Sequence, residues 1–220
     1  MSVFLFLGAV VAALVAQASS PGHTAAGVPG ACESPAQTNM GQLGCYLVAT
    51  TSLGVLPAPS VFWHLYEYKG RAEAQAAVVP RATVVESHGR TWVFTIANKD
   101  WQPRSGKRVG VVGPLSVSPK KPYTARYMEA TFAPGMKTAA HRHSGAEAWY
   151  LLTGAQCLET PDGITVLKAG EAAVVPQGPP MVLSTVGTET RRSVLLVLHD
   201  SDQPWTSPAT DWQPAGQCPQ

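Results

Sequence analysis

With 220 residues, 45% of them apolar, the chain is long enough to bury the core of one domain and an accessory piece. Sixteen Lys and Arg against fourteen Asp and Glu leave a formal net charge of only +2. No basic run stands out ("SPKKPY" at 118–123 sets two lysines beside a proline), so nucleic acid is not an expected partner.

The chain opens on "MSVFLFLGAVVAALVAQASS", an apolar run from Val3 to Val15 followed by Ala16-Gln17-Ala18. Small residues at −3 and −1 suit cleavage after Ala18, and the run is shorter than the roughly 18–20 apolar residues of a membrane span. The expectation is a cleaved export signal over 1–18, giving a periplasmic or secreted product with no membrane association. No Lys or Arg near Met1 supplies the usual positive start of such a signal. Residues 19–42, rich in Ser, Pro, Gly, Ala and Thr, have no apolar period and read as a flexible leader.

Export changes the meaning of the four cysteines, Cys32, Cys45, Cys157 and Cys218. In an oxidising compartment an even count predicts two disulfides, with three possible pairings. The short interval puts Cys32 with Cys45 first, leaving Cys157 to tie down the C-terminal tail through Cys218. Buried thiols are the plainer alternative. No Cys-x-x-Cys spacing points to a thiolate metal site.

From residue 43 onward the pattern is strand-like. "VFWHLYEY" (61–68), "TWVFTIA" (91–97), "RYMEATF" (126–132), "EAWYLL" (147–152), "AAVVP" (172–176) and "SVLLVLH" (193–199) are short and rich in β-branched or aromatic residues. Turn signals at "PDG" (161–163), "KAG" (168–170) and "VGT" (186–188) separate the later ones. Only the Ala-rich "GRAEAQAAV" (70–78) predicts a helix. Many short strands with one short helix predict an all-β sandwich or barrel. Residues 43–114 form a β-rich accessory segment, residues 115–200 a barrel, and residues 201–220 a Pro-rich tail expected to lie irregularly on the surface. The accessory segment contains no second His-x-His, so internal duplication is not supported.

"GMKTAAHRHSGAEAWYLLTG" (135–154) crowds two imidazoles and a carboxylate together. His141 and His143, two apart, point to one face of a strand. Ser144-Gly145 suits a turn, and Glu147 then opens the next strand facing them. A lone His-x-His reads as a solvated strand face, but the added glutamate and flanking glycines point to ligands. Two imidazoles and one carboxylate suit a divalent ion such as Fe, Mn, Zn, Ni or Co.

These residues resemble the first motif of the cupins, G-x5-H-x-H-x3-E-x6-G. Gly135, His141, His143, Glu147 and Gly154 occupy its positions without departure. The second motif, G-x5-P-x-G-x2-H-x3-N, is met by Gly170, Pro176 and Gly178, but Met181 stands for the histidine and Thr185 for the asparagine. The resemblance covers roughly residues 115–200. It implies a cupin double-stranded β-helix (jelly-roll) barrel with a metal inside its wider mouth. His141, His143 and Glu147 then form a complete three-ligand site, with Met181 either a space-filling neighbour or a fourth, thioether ligand that would favour copper. A metal-free, degenerate cupin is a further alternative.

Strand alternation puts Trp149 and Leu151 on the face of Glu147, and Leu183 on that of Met181. Together they suggest an apolar pocket for a small organic ligand. Tyr127 and Glu129 are candidates to face inward as acid or base. The remaining histidines read as structural: His23 in the leader, His64 packed, His88 in a turn, and His199 at a strand end near the pocket rim. Arg191 and Arg192 read as a solvated hairpin end, with attraction of an anionic substrate by one of them as the alternative.

The resemblance implies a metal-dependent enzyme acting on a small organic molecule, with dioxygenase chemistry favoured over isomerase, lyase or decarboxylase chemistry. A non-catalytic small-ligand or metal-binding protein is the alternative. Cupins commonly form homodimers through edge strands, and "SVFWHLYEY" is apolar enough for such an interface or for the monomer core.

Overall fold

The computed structural model describes Cys32 and residues 42–219. The export signal expected over 1–18, nearly all of the leader expected over 19–42, and His23 lie outside the described residues.

Strands dominate: β1 (Gly44–Val55), β2 (Ser60–Tyr68), β3 (Ala82–Ser87), β4 (Arg90–Ala97), β5 (Lys107–Ser116), β6 (Pro122–Phe132), β7 (His141–His143), β8 (Gly145–Thr153), β9 (Ala155–Thr160), β10 (Gly163–Lys168), β11 (Ala172–Val175), β12 (Val182–Val186), β13 (Arg191–Asp200) and β14 (Thr206–Pro208). The single helix among the described residues, α1 (Arg71–Ala76), falls inside the Ala-rich stretch.

From β6 to β13 the chain is a long hairpin rolled into a barrel. The outermost strands β6 and β13 pair, β7 bridges to β12 through His141 and Met181, β8 pairs with β11, and β9 with β10, all antiparallel. The resulting sheet orders, β6-β13-β8-β11 and β12-β9-β10 with β7 beside β12, are those of a jelly roll. Lys137 also bridges to Ser184, so the segment before β7 runs along β12.

The accessory segment divides differently from the sequence expectation. β1 pairs with β6 and extends the barrel's own sheet, so only β2 to β5 form a separate sheet, in the order β3-β4-β2-β5. That sheet packs on the outer face of the barrel. Its Trp63, Leu65, Trp92, Phe94 and Ile96 meet Ala125, Tyr127, Ala148, Val194, Leu196 and Leu198 in one core. A second core fills the barrel itself, with Met128, Phe132, Trp149, Leu151, Leu158, Leu183, Leu195 and Val197.

This layering explains the composition of β13. Its even-numbered Val194, Leu196 and Leu198 meet the accessory sheet, while Leu195 and Val197 enter the barrel. A strand buried on both faces reads as a continuous apolar run rather than an alternating one. Full burial of side chains of this size stabilises by roughly 1.5–3 kcal/mol each. α1 covers the other face of the accessory sheet, where Ala74 packs with Tyr66, Tyr68 and Val93.

Both disulfides are formed, Cys32–Cys45 and Cys157–Cys218. The second anchors the tail, whose described residues are irregular apart from β14, paired with β7. No helix among the described residues is long and apolar enough to cross a membrane.

Candidate metal centre

His141 and His143 begin and end β7, and Ser144 alone separates that strand from β8. The link is tight because Gly145 has no side chain: a Cβ there would run into the backbone of Leu198 and His199 on β13. Glu147 is the third residue of β8 and shares its inward face with Trp149 and Leu151.

The ligand atoms of His141, His143 and Glu147 all lie within 4.8 Å of one another. His143 and Glu147 are buried and His141 is partly exposed. Each imidazole is oriented by a main-chain carbonyl. His141 Nδ1 lies 2.9 Å from the Ala139 oxygen, and His143 Nδ1 lies 2.8 Å from the Trp205 oxygen. A carbonyl only accepts, so each Nδ1 carries the proton and each Nε2 is left with a lone pair. The Trp205 ring stacks on His143 at 5.5 Å with planes 19° apart, and Arg126 lies over that indole at 4.8 Å.

The donors fit a divalent ion. Bonds of about 2.0–2.2 Å place two donors of one ion roughly 3–4 Å apart. His143 Nε2 and Glu147 Oε2, at 3.4 Å, are already at that spacing. They are not aligned as a hydrogen bond, and both atoms are buried without a hydrogen-bond partner among the described residues. Buried polar atoms are rarely left so, and a cation satisfies both at once.

The electrostatics agree. Burial lowers the proton affinity of His141, and Glu147 only partly offsets it. Burial acts on His143 in the same sense, but the Glu147 charge and the Trp205 carbonyl outweigh it and raise its pKa. Burial alone would raise Glu147, yet His143, His141 and Arg191 hold it below the usual carboxylate range. A proton and a metal ion therefore compete for the same His143 nitrogen beside the Glu147 carboxylate.

Met181 faces His141 across a two-bond bridge, His141 N to Met181 O at 3.1 Å and Met181 N to His141 O at 2.8 Å. It lies in the barrel core with Trp149, Leu151 and Leu183. Tyr127 does not. It sits on the opposite face of β6, against Trp63 and Phe94, because Met128 and Ala130 take the inward positions. Glu129 shares that outward face and accepts hydrogen bonds from Ser87 Oγ (2.7 Å) and His88 N (3.1 Å). Neither can act as acid or base at this centre.

His64 is buried in the accessory sheet beside the Asn98 carbonyl, and His88 occupies a hairpin turn with φ 51°. His199 is buried at the metal-centre end of β13, opposite Gly145, with Nδ1 on the Asp200 carbonyl. Arg191, expected in solvent, is buried inside the barrel over the Phe132 ring at 4.3 Å. Its spacing from Leu195 and Val197 along one strand was the available sign. Trp205 carried no sign at all, since its contact with His143 joins residues 62 apart. Two surface cavities, of about 370 and 410 Å³, lie on the accessory sheet, away from the three ligands.

No family model matches this sequence, and no curated protein matches it. Solved structures do resemble it. A cupin superfamily protein from Desulfitobacterium hafniense is 15% identical with a TM-score of 0.33, over 39% of this chain and 74% of the other. A cupin-2 domain-containing protein from Shewanella frigidimarina is 18% identical with a TM-score of 0.29, over 33% and 68%. Oxalate decarboxylase from Bacillus subtilis is 22% identical with a TM-score of 0.34, over 42% of this chain and 25% of its own length. By its own strand order the barrel of this chain is a jelly roll, and it holds a two-histidine, one-carboxylate cluster.

Proposed function

We propose that this protein is an exported, metal-dependent enzyme acting on a small organic molecule. Dioxygenase chemistry is favoured over isomerisation, elimination or decarboxylation. The observation that carries the reading is the buried His143–Glu147 pair, whose facing atoms have no hydrogen-bond partner beside the third donor, His141. A bound divalent ion would act as Lewis acid toward an oxygen of the substrate, and three protein donors leave coordination positions for substrate and O₂.

The chain's own residues prepare that chemistry. The Ala139 and Trp205 carbonyls hold the two imidazoles in the tautomer that presents Nε2. Trp149, Leu151, Leu183 and Met181 line the barrel with apolar surface and keep bulk water out. Fe, Mn, Zn, Ni and Co suit the donor set, and copper would require Met181 as a soft fourth ligand. Both disulfides suit a protein that matures in an oxidising compartment, in keeping with an export signal cleaved after Ala18.

A second reading, a non-catalytic small-ligand or metal-binding protein, is favoured by one observation. Tyr127 and Glu129, the acid–base candidates, both face away from the ligands. Metal content of the purified chain, of His141→Ala and of Glu147→Gln separates the readings from their common premise. Metal near one per chain in wild type and under a tenth of that in the variants is expected; equal content sinks the enzyme reading and leaves only a metal-free small-ligand binder. Oxygen uptake with diketones, phenols and hydroxy acids by Fe- or Mn-loaded protein then supports the dioxygenase. Ligand binding without turnover supports the second reading.

A further inference from the structure

The barrel interior beyond the three ligands holds polar side chains that the metal centre does not use. Arg191, on the inward face of β13 with Leu195 and Val197, is only 1% exposed, and its Nε and Nη1 have no hydrogen-bond partner. Ser193, two residues on, is fully buried with an unpartnered Oγ. From the opposite sheet come Gln156 of β9 and Thr185 of β12, direct cross-strand neighbours. They share inward faces with Leu158 and Leu183, and the Gln156 Oε1 and Nε2 and the Thr185 Oγ1 are all buried and unpartnered.

These four side chains occupy one end of the barrel. Gly154, two residues before Gln156, abuts β13 so closely that a Cβ would lie 2.9 Å from the Arg191 Cα. The metal centre lies toward the other end. Thr185 on β12 is four residues on from Met181, the residue just before that strand, about 13 Å at 3.3 Å per residue. The Arg191 side chain, on the inward face of β13, feels the negative charge of Glu147. Two guanidinium nitrogens, a primary amide and two hydroxyls, all buried without a protein partner, form a built set of polar groups rather than a packing accident.

Charge identifies what they receive. The unpartnered Arg191 nitrogens can only donate, so an anion is the complementary guest, and a bound divalent ion would add to that preference. The planar guanidinium fork matches a carboxylate in two parallel hydrogen bonds. The apolar walls of Trp149, Leu151 and Leu183 suit the carbon skeleton between the two ends. Resting on the metal-dependent reading above, we propose that Arg191, Gln156, Ser193 and Thr185 form a carboxylate subsite, and that the substrate is a short-chain organic acid whose other end reaches the metal centre.

The test is anion binding by the mature protein, followed by calorimetry and thermal melts in metal-loaded and chelator-stripped forms. Acetate, lactate and succinate are the probes, with acetamide as the neutral isostere and inorganic phosphate as the competing anion. The carboxylates are expected to bind and raise the melting temperature in both forms, while acetamide does not. Arg191→Met, neutral and of similar length, is expected to keep its metal content and lose at least tenfold in carboxylate affinity, and Gln156→Leu to lose affinity likewise. Binding that Arg191→Met retains, or no carboxylate binding to wild type, overturns the subsite, leaving the donors to water. Preference for phosphate overturns the substrate class. Wild type that binds carboxylates but no metal overturns the metal reading and leaves the subsite standing. If Arg191→Met fails to fold, Gln156→Leu and the acetate–acetamide comparison in wild type decide.

Discussion

His143 Nδ1 meets the main-chain oxygen of Trp205 at 2.8 Å, so the C-terminal tail sets the tautomer of a candidate metal ligand. The same segment stacks its indole on the imidazole and adds β14 to the ligand-bearing strand β7. A ligand's outer hydrogen bond of this kind typically contributes 10–100-fold in metal affinity. Deleting residues 204–220, with Cys157→Ser to avoid a free thiol, should leave the barrel folded by circular dichroism. Its metal affinity should fall about 10–100-fold in titration against a chromophoric chelator.

Gly145 is the tightest position of the site. Gly145→Ala should destabilise by about 3 kcal/mol or more, because the new Cβ meets the main chain of Leu198 and His199 rather than a side chain that can turn away. Gly70, with open space around it and an extended backbone, is the control, and its alanine variant should change stability by under about 1 kcal/mol. Urea unfolding of both variants measures the contrast.

The two disulfides should differ in weight. Cys157–Cys218 spans 61 residues and Cys32–Cys45 spans 13. The chain-entropy model assigns them about 4 and about 3 kcal/mol respectively. The Cys157→Ser/Cys218→Ser variant should therefore lose more stability than Cys32→Ser/Cys45→Ser, and it alone should also weaken metal binding, through the loosened tail.

Acid should destabilise the accessory sheet through His64. Burial, aided by Arg108, lowers its pKa below the usual imidazole value, against the Asn98 carbonyl. Below about pH 6.5 the unfolded chain takes up a proton that the folded chain refuses, so stability falls as pH drops through that value. His64→Gln keeps a donor for the Asn98 oxygen and should reduce the slope of stability against pH. Some slope should persist, since His88 and His199 are lowered by burial in the same sense.

Tyr127 belongs to the core between the sheets. Its phenol lies beside Thr83 without a well-formed hydrogen bond, and burial raises its pKa. Tyr127→Phe should change stability by under about 1.5 kcal/mol and leave metal content and turnover unchanged. Trp149→Ala, in the barrel core, should cost about 3–5 kcal/mol. Melting curves and metal analysis distinguish the two cores.

Local spacing was enough to place His141, His143 and Glu147 together, because two residues apart on a strand share a face and a one-residue link brings the next strand alongside. The same reasoning located most of the strands and α1, and it proposed the two cysteine pairs that the structure forms. It went astray where a strand is buried on both sides. In "RYMEATF" and "RRSVLLVLHD" both faces are apolar enough to look inward, so Tyr127 and Glu129 were assigned to the barrel and Arg191 to solvent. Only the packing of a second sheet against the barrel decides which face is which. Three further features, β1 in the barrel sheet, the Trp205 carbonyl behind His143, and the Arg191 guanidinium over the Phe132 ring, join segments far apart in the chain. No periodicity along a strand encodes its partner, so those features exist only once the jelly roll has closed.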